Sequence, residues 1–171
     1  MSSSAPYDAR AVANLLLELA DEKNLRLTQV AIIKLLYFAH GWYLVVYRKP
    51  LILQEFEAWQ HGPVVKVVRD AFKTYESAPI TGRATKLDIY TNQRTVVDSN
   101  VSFDDGRFIR SIFDAYHVYD AWELSDMTHE PGSPWDRIWN SSAPIGRLAL
   151  RIKNEDIQAH FDRLPGRFRL S

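Results

Sequence analysis

Thr28-Gln29-Val30-Ala31-Ile32-Ile33-Lys34-Leu35-Leu36-Tyr37-Phe38-Ala39-His40-Gly41-Trp42-Tyr43-Leu44-Val45-Val46 is the most apolar long stretch of the chain. Within it Ile32, Leu35, Leu36, Ala39 and Tyr43 recur at i, i+3, i+4, i+7 and i+11, which is one face of a helix. A second stripe, Lys34, Phe38, Gly41 and Val45, is mostly apolar as well. A helix that is apolar nearly all round is covered by neighbours on several sides. The spacing therefore predicts the central helix of the fold, with Thr28 as its N-cap. Gly41 costs such a helix roughly 1 kcal/mol relative to Ala, so its presence points to another backbone approaching closely there.

Outward from this helix the elements are short. After Arg48-Lys49-Pro50, the segments Leu51-Ile52-Leu53 and Phe56-Glu57-Ala58-Trp59 read as extended. His61-Gly62-Pro63 breaks the chain, and Pro63 suits the first turn of a further helix, whose stripe is Val64, Val67, Val68, Ala71, Phe72 and Tyr75. Upstream, Met1–Tyr7 is small and polar and reads as a disordered tail; Asp8 then caps a helix reaching Glu22. Downstream, Lys86–Tyr90 and Arg94–Asp98 alternate around Thr91-Asn92-Gln93, which predicts two short strands joined by a turn. Asp104-Asp105 and Asp120 head two more helices. Ser133-Pro134 has the form of an N-cap followed by Pro at the first helical position. Leu148–Ile152 reads as a short strand and Asn154 as the cap of a last helix. The expected fold is mostly α, in the α+β class. It is a single compact helical domain over residues 8–164, built around a buried central helix, with a small β-sheet or hairpin. A flexible basic tail follows at 165–171.

The run from Lys34 to Gly41, then Pro50-Leu51, then Phe56 to Val64, resembles the signature of the Panacea antitoxin domain, a family also described as phage-associated or GepA-like proteins. Leu124-Ser125 followed by Thr128-His129-Glu130-Pro131-Gly132-Ser133-Pro134-Trp135 resembles the downstream signature of the same family. The motif positions are Lys34, Tyr37, Gly41, Trp59, His61, Gly62, Pro63, His129, Ser133, Pro134 and Trp135, mainly structural in role. The resemblance implies a bacterial antitoxin that binds a cognate toxin protein, encoded by the adjacent gene, and performs no catalysis. One member of the family is described as a proteolytic adaptor, which implies contact with the ClpX unfoldase and delivery of the toxin to the ClpXP protease.

Composition agrees with a binding protein. Hydrophobic residues make up 46% of 171, enough for a core, and 21 Lys plus Arg balance 21 Asp plus Glu. Zero net charge argues against a dedicated nucleic-acid binder, which carries a basic excess or stripe. The absence of cysteine excludes disulfides, thiolate zinc sites and a cysteine nucleophile, and fits a cytoplasmic protein. Met1-Ser2-Ser3-Ser4-Ala5-Pro6 has no apolar core and does not read as a signal peptide, and no apolar run is expected to reach the roughly 18 residues of a membrane span.

The residues that carry chemistry elsewhere find no constellation here. His40, His61, His117, His129 and His160 include no i, i+4 pair of the kind that binds metal on a helix. His61 and His129 both flank Pro-Gly breaks and are better read as fixing turns than as ligands. Ser133 lacks the second glycine of a hydrolase elbow and reads as a helix cap. There is no Walker loop or dinucleotide fingerprint, so no catalytic, cofactor-binding or metal-binding residue is assigned and no cofactor is expected. Lys34, a charge on a buried helix, needs a partner, for which Glu57 is available. Trp42 and Trp59 read as core. The adaptor role that the resemblance implies would make Arg167, Phe168, Arg169 and Leu170 of the basic C-terminal segment a tether for the protease; on composition alone the segment reads as an ordinary frayed terminus. Two other functions stand behind the antitoxin: a DNA-binding regulator with His61-Gly62-Pro63 as a helix-turn-helix turn, and a metal-dependent hydrolase using His61 and His129.

Overall fold

The computed structural model describes residues 4–141 and 150–165. The helices are α1 (Ala9–Glu22), α2 (Gln29–Tyr47), α3 (Lys66–Phe72, continued by a 3₁₀ turn at Lys73–Tyr75), α4 (Phe103–Tyr116), α5 (Ala121–Thr128), α6 (Pro134–Trp139) and α7 (Asn154–Arg163). The strands are β1 (Phe56–Trp59), β2 (Gly62–Val64), β3 (Thr85–Leu87), β4 (Arg94–Val96) and β5 (Arg151–Ile152). This is the mostly helical α+β arrangement expected from the sequence.

α2 is the axis. Every residue from Ala31 to Leu44 is buried, and α1, α4, α5 and α7 pack around it. Contrary to the expectation that no apolar run reaches a membrane span, an 18-residue window of α2 has a mean hydropathy of 1.5 and would by length and composition allow one; here the surrounding helices cover it instead. Thr28 caps it as expected, its hydroxyl accepting from the Ala31 amide at 3.3 Å, and Arg48 ends it in a left-handed conformation at φ 55°. Gly41 is explained by a ring rather than a backbone. A Cβ on Gly41 would lie 2.4 Å from the Phe161 ring of α7, and that ring packs edge-on to Tyr37 and Trp42.

The other caps follow local chemistry. The Asp8 carboxylate accepts from the Arg10 amide, and Asp120 and Glu123 form a reciprocal capping box on α5. Ser133 caps α6 with Pro134 behind it. At α4 the cap is Ser102, whose hydroxyl accepts from the Asp105 amide. Asp104 and Asp105 instead occupy the first turn, where a carboxylate opposes the positive end of the helix dipole.

β1 is the centre of a three-stranded antiparallel sheet, in the order β2-β1-β5. Glu57 pairs with Val64, Ala58 with Pro63 and Trp59 with Gly62. β3 and β4 form a separate hairpin with Lys86 opposite Thr95, as the alternation predicted.

Some expectations do not hold. Pro63 does not open a helix: it lies in β2, and α3 begins at Lys66. A proline lacks the amide a central strand needs, but β2 is an edge strand and tolerates it. Gln60-His61 is the turn between β1 and β2, and Gly62-Pro63 already lies in β2, so His61-Gly62-Pro63 is not the turn of a helix-turn-helix. Asn154 does not cap α7; it is the first helical residue, and its side-chain oxygen lies 2.8 Å from His40 Nε2. Tyr7 does not belong to a structureless tail. It is 4% exposed, its amide donates to the Leu51 carbonyl, its carbonyl accepts from the Leu53 amide, and its hydroxyl donates to Asp105 at 2.6 Å. One aromatic residue with a polar tip suffices to pin the strap, because it can bury its ring and keep its hydrogen bond. Of the strand expected at Leu148–Ile152, Arg151–Ile152 is strand and Leu150 is not, while Leu148 and Ala149 lie outside the described residues.

Candidate functional site

The two motif blocks, far apart in the chain, meet at one joint. The first supplies α2 and the β1–β2 turn. The second supplies the end of α5, the following turn and α6. Hydrogen bonds cross between them. Ser125 donates to the His61 carbonyl at 2.8 Å, and the Trp135 indole donates to the Trp59 carbonyl at 2.6 Å. Ser133 uses its hydroxyl twice, donating to the Thr128 carbonyl at 3.1 Å and accepting from the Asp136 amide at 3.2 Å. These bonds tie the carbonyls of an irregular turn, groups that would cost free energy if buried unpaired.

Lys34 rises from α2 into this joint. Its side chain is 2% exposed, and Nζ donates to the Pro63 carbonyl at 3.0 Å. The expected partner, Glu57, does not reach it: the Glu57 carboxylate accepts from the Trp59 indole at 2.8 Å. Burial lowers the Lys34 pKa to about 7, since low dielectric disfavours the charged form. Gly62 makes room for the amine. It sits at φ +105°, and a Cβ there would fall 2.6 Å from both Lys34 Nζ and Thr128 Oγ1. The backbone angle and the crowding each demand glycine.

The two motif histidines have different surroundings. The His129 ring lies 4.0 Å from the Trp135 ring, and its Nε2 is buried with no hydrogen-bond partner among the described residues. Burial first, and the Lys34 charge second, lower its pKa. His61 is exposed and meets the exposed Trp122 edge-on at 6.1 Å. Among the described residues no three His, Asp or Glu side chains converge as a metal would require.

Tyr37, Gly41 and Lys34 lie along α2, with the Tyr37 ring 5.1 Å from Phe56 and 5.6 Å from Phe161. Trp42 is core, at 3% exposure. Trp59 is only half-buried, with the Arg69 guanidinium over its ring at 5.4 Å. Its exposed face was not legible in its sequence neighbours, because Arg69 comes from the next helix. A cleft of about 350 Å³ runs alongside the joint, lined by Tyr37, Phe38, Tyr116, Glu130 and His160 among others. Arg167, Phe168, Arg169 and Leu170 lie outside the described residues.

Sequence reasoning missed two buried polar centres. Asn14, 1% exposed on α1, donates to the Ala84 and Val97 carbonyls and accepts from the Ala84 amide. Asp105, 8% exposed, accepts from the hydroxyls of Tyr7 and Tyr43 at 2.6 and 2.9 Å. The signal for Asn14 was there, an amide beside the apolar stripe of a well-capped helix. Asp105 looked like one more cap acid.

Comparison with known proteins places this arrangement. The family described as antitoxin SocA-like, Panacea domain, matches residues 32–136, a span that contains the whole joint. Antitoxin SocA of Caulobacter vibrioides (strain NA1000 / CB15N) is 38% identical over 154 residues, which cover 90% of this chain and 82% of that protein. No solved structure matches the chain.

Proposed function

The chain belongs to the SocA-like Panacea antitoxin family, and from that premise we propose that it is a cytoplasmic antitoxin that binds a toxin protein encoded by the adjacent gene. The reading is non-catalytic. The observation that supports it is that four of the motif positions, Lys34, Gly62, Ser133 and Trp135, are sealed inside an internal joint. Such a joint sets the shape of a scaffold. Its one unusual amine, Lys34, is closed off from any substrate.

The finer part of the proposal is that the protein acts as a proteolytic adaptor, holding the toxin while a second segment contacts the ClpX unfoldase. Tethering raises the local concentration of the cargo without a large new interface. Arg167, Phe168, Arg169 and Leu170 have the composition of a short peptide that places alternate side chains in pockets.

The test of the class is genetic and biochemical together. The adjacent-gene product is expected to arrest growth alone, to be harmless with this protein, and to co-purify with it. A product that stays toxic in the presence of this protein overturns the antitoxin reading. For the adaptor, toxin degradation by purified ClpXP is followed with and without this protein. Equal rates leave an antitoxin that works by blocking.

A further inference from the structure

The molecule displays an unusual amount of apolar surface on one small element. Leu87, Ile89, Tyr90 and Val96 of the β3–β4 hairpin are 49%, 80%, 93% and 57% exposed. Isolated exposed apolar residues are ordinary, but a cluster on one protrusion marks an interaction surface. The register sets Val96 opposite Thr85 and Arg94 opposite Leu87. With side chains alternating along each strand, Leu87 and Val96 therefore share a face.

The hairpin is rigid at both ends. At its base Val97 donates to the Ala84 carbonyl at 3.0 Å, and Asn14 of α1 bonds both of those residues. At its tip the Asp88 carboxylate accepts from the amides of Tyr90 and Thr91, at 2.8 and 3.1 Å, and Asn92 turns back at φ 54° to donate to the Asp88 carbonyl. Asp88 thus turns its charge onto the tip's own amides. Lys86 and Arg94 have no carboxylate within ion-pair distance among the described residues. The result is a pre-ordered finger with an apolar tip and two cations outside any salt bridge on its stem: Lys86, whose charge is felt by Asp8 and Asp88, and Arg94, which donates to the Thr85 hydroxyl at 3.4 Å. Holding side chains in place before contact lowers the ordering cost of binding, and tyrosine is a preferred anchor at interfaces.

We propose that this hairpin is the toxin-binding element: Ile89 and Tyr90 enter an apolar pocket on the toxin whose rim carries Asp or Glu side chains facing Lys86 and Arg94. The inference rests on the antitoxin reading and adds the surface and the chemistry of the partner. A membrane surface is a poorer fit, because Thr91, Asn92 and Gln93 crown the same tip and leave no broad apolar face to embed.

The experiment titrates the purified adjacent-gene product against the full chain and three variants. Ile89→Ser with Tyr90→Ser is expected to weaken binding at least roughly 30-fold, the size of an anchor loss. Phe103→Ser, at an exposed apolar residue of α4 (79%), is the control and is expected to stay within about threefold of wild type. Lys86→Glu with Arg94→Glu is expected to slow association and to reduce its salt dependence. A photo-crosslinking residue at position 90 is expected to capture the toxin and gives a readout independent of any change in folding. The proposal is overturned if the double serine variant binds within about threefold of wild type, if the crosslinker captures nothing, or if Tyr90 is instead needed for sedimentation with phosphatidylserine vesicles. Failure of the wild-type protein to bind at all removes the antitoxin reading and this inference together, whereas binding that ignores the hairpin removes only the inference.

Discussion

Lys34 brings an ammonium into the joint with one hydrogen bond, to the Pro63 carbonyl, and the consequence is a stability that depends on pH. Its pKa falls from 10.5 to about 7 on folding. Between those values the unfolded chain binds the extra proton, so stability rises with pH through that window. The penalty is fully present below pH 7 and is removed as pH approaches 10.5, for a total on the order of 4–5 kcal/mol. Lys34→Met should flatten this rise and raise the melting temperature at pH 6, although it leaves the Pro63 carbonyl unpaired. Thermal melts of both proteins from pH 6 to 10 check it, and parallel curves would count against a buried amine. His40 acts at lower pH in the same direction. Its pKa is lowered from 6.5 to about 4, mainly by burial, so stability is lost as pH falls from 6.5 toward 4. That Lys34 needed a partner was legible from its place in an apolar helix. That the partner is a carbonyl was not, because the choice depends on Glu57 turning toward Trp59, a contact within β1 that periodicity does not encode.

Helices with a strong stripe and a good cap were legible as elements, and the reason is local: Thr28, Asp8, Asp120 and Ser133 each bond an amide within their own first turn. What the sequence could not show is which element lies against which. Gly41 and Phe161 are the clearest case. The α2–α7 contact is a ring seated where a side chain is missing. Gly41→Ala should therefore destabilise by roughly 1–3 kcal/mol, the cost of overpacking, despite the better helix propensity of Ala. The added Phe161→Leu change should recover part of that loss in a double-mutant cycle, and additive losses would show that the two residues do not touch. Asn14 makes a second test at this scale. It bonds both strands of the β3–β4 hairpin at their base, through Ala84 and Val97. Asn14→Ala strands buried backbone groups at about 1–3 kcal/mol each. Hydrogen exchange should then speed up at Lys86 and Thr95 far more than in α2; uniform acceleration would mean that the hairpin is not a separate unit.

The molecule as a whole is closed at its start by a strap that composition concealed. Met1–Pro6 reads as small and polar, yet the next residue, Tyr7, joins two distant parts of the chain. Its backbone bonds the segment at Leu51 and Leu53, its hydroxyl bonds Asp105 on α4, and its ring is buried. Tyr7→Phe keeps the ring and removes the bond to a carboxylate, which should cost roughly 1.5–3 kcal/mol. Deleting Met1–Tyr7 removes the ring and the backbone bonds as well, and should cost at least the ~3–5 kcal/mol of a truncated core aromatic. That is a large share of the ~5–15 kcal/mol that holds a domain together. The two ends of the chain should then separate cleanly in one experiment. If the chain is the adaptor proposed above, loss of Met1–Tyr7 should lower the melting temperature and, through folding, weaken both toxin binding and ClpXP-dependent degradation in proportion. Loss of Pro165–Ser171 should leave the melting temperature and toxin affinity near wild type and slow degradation alone. A Pro165–Ser171 deletion that degrades the toxin at the wild-type rate would move the unfoldase contact onto the folded surface. A Met1–Tyr7 deletion that melts like wild type would mean that Tyr7 adds nothing the rest of the core does not already provide.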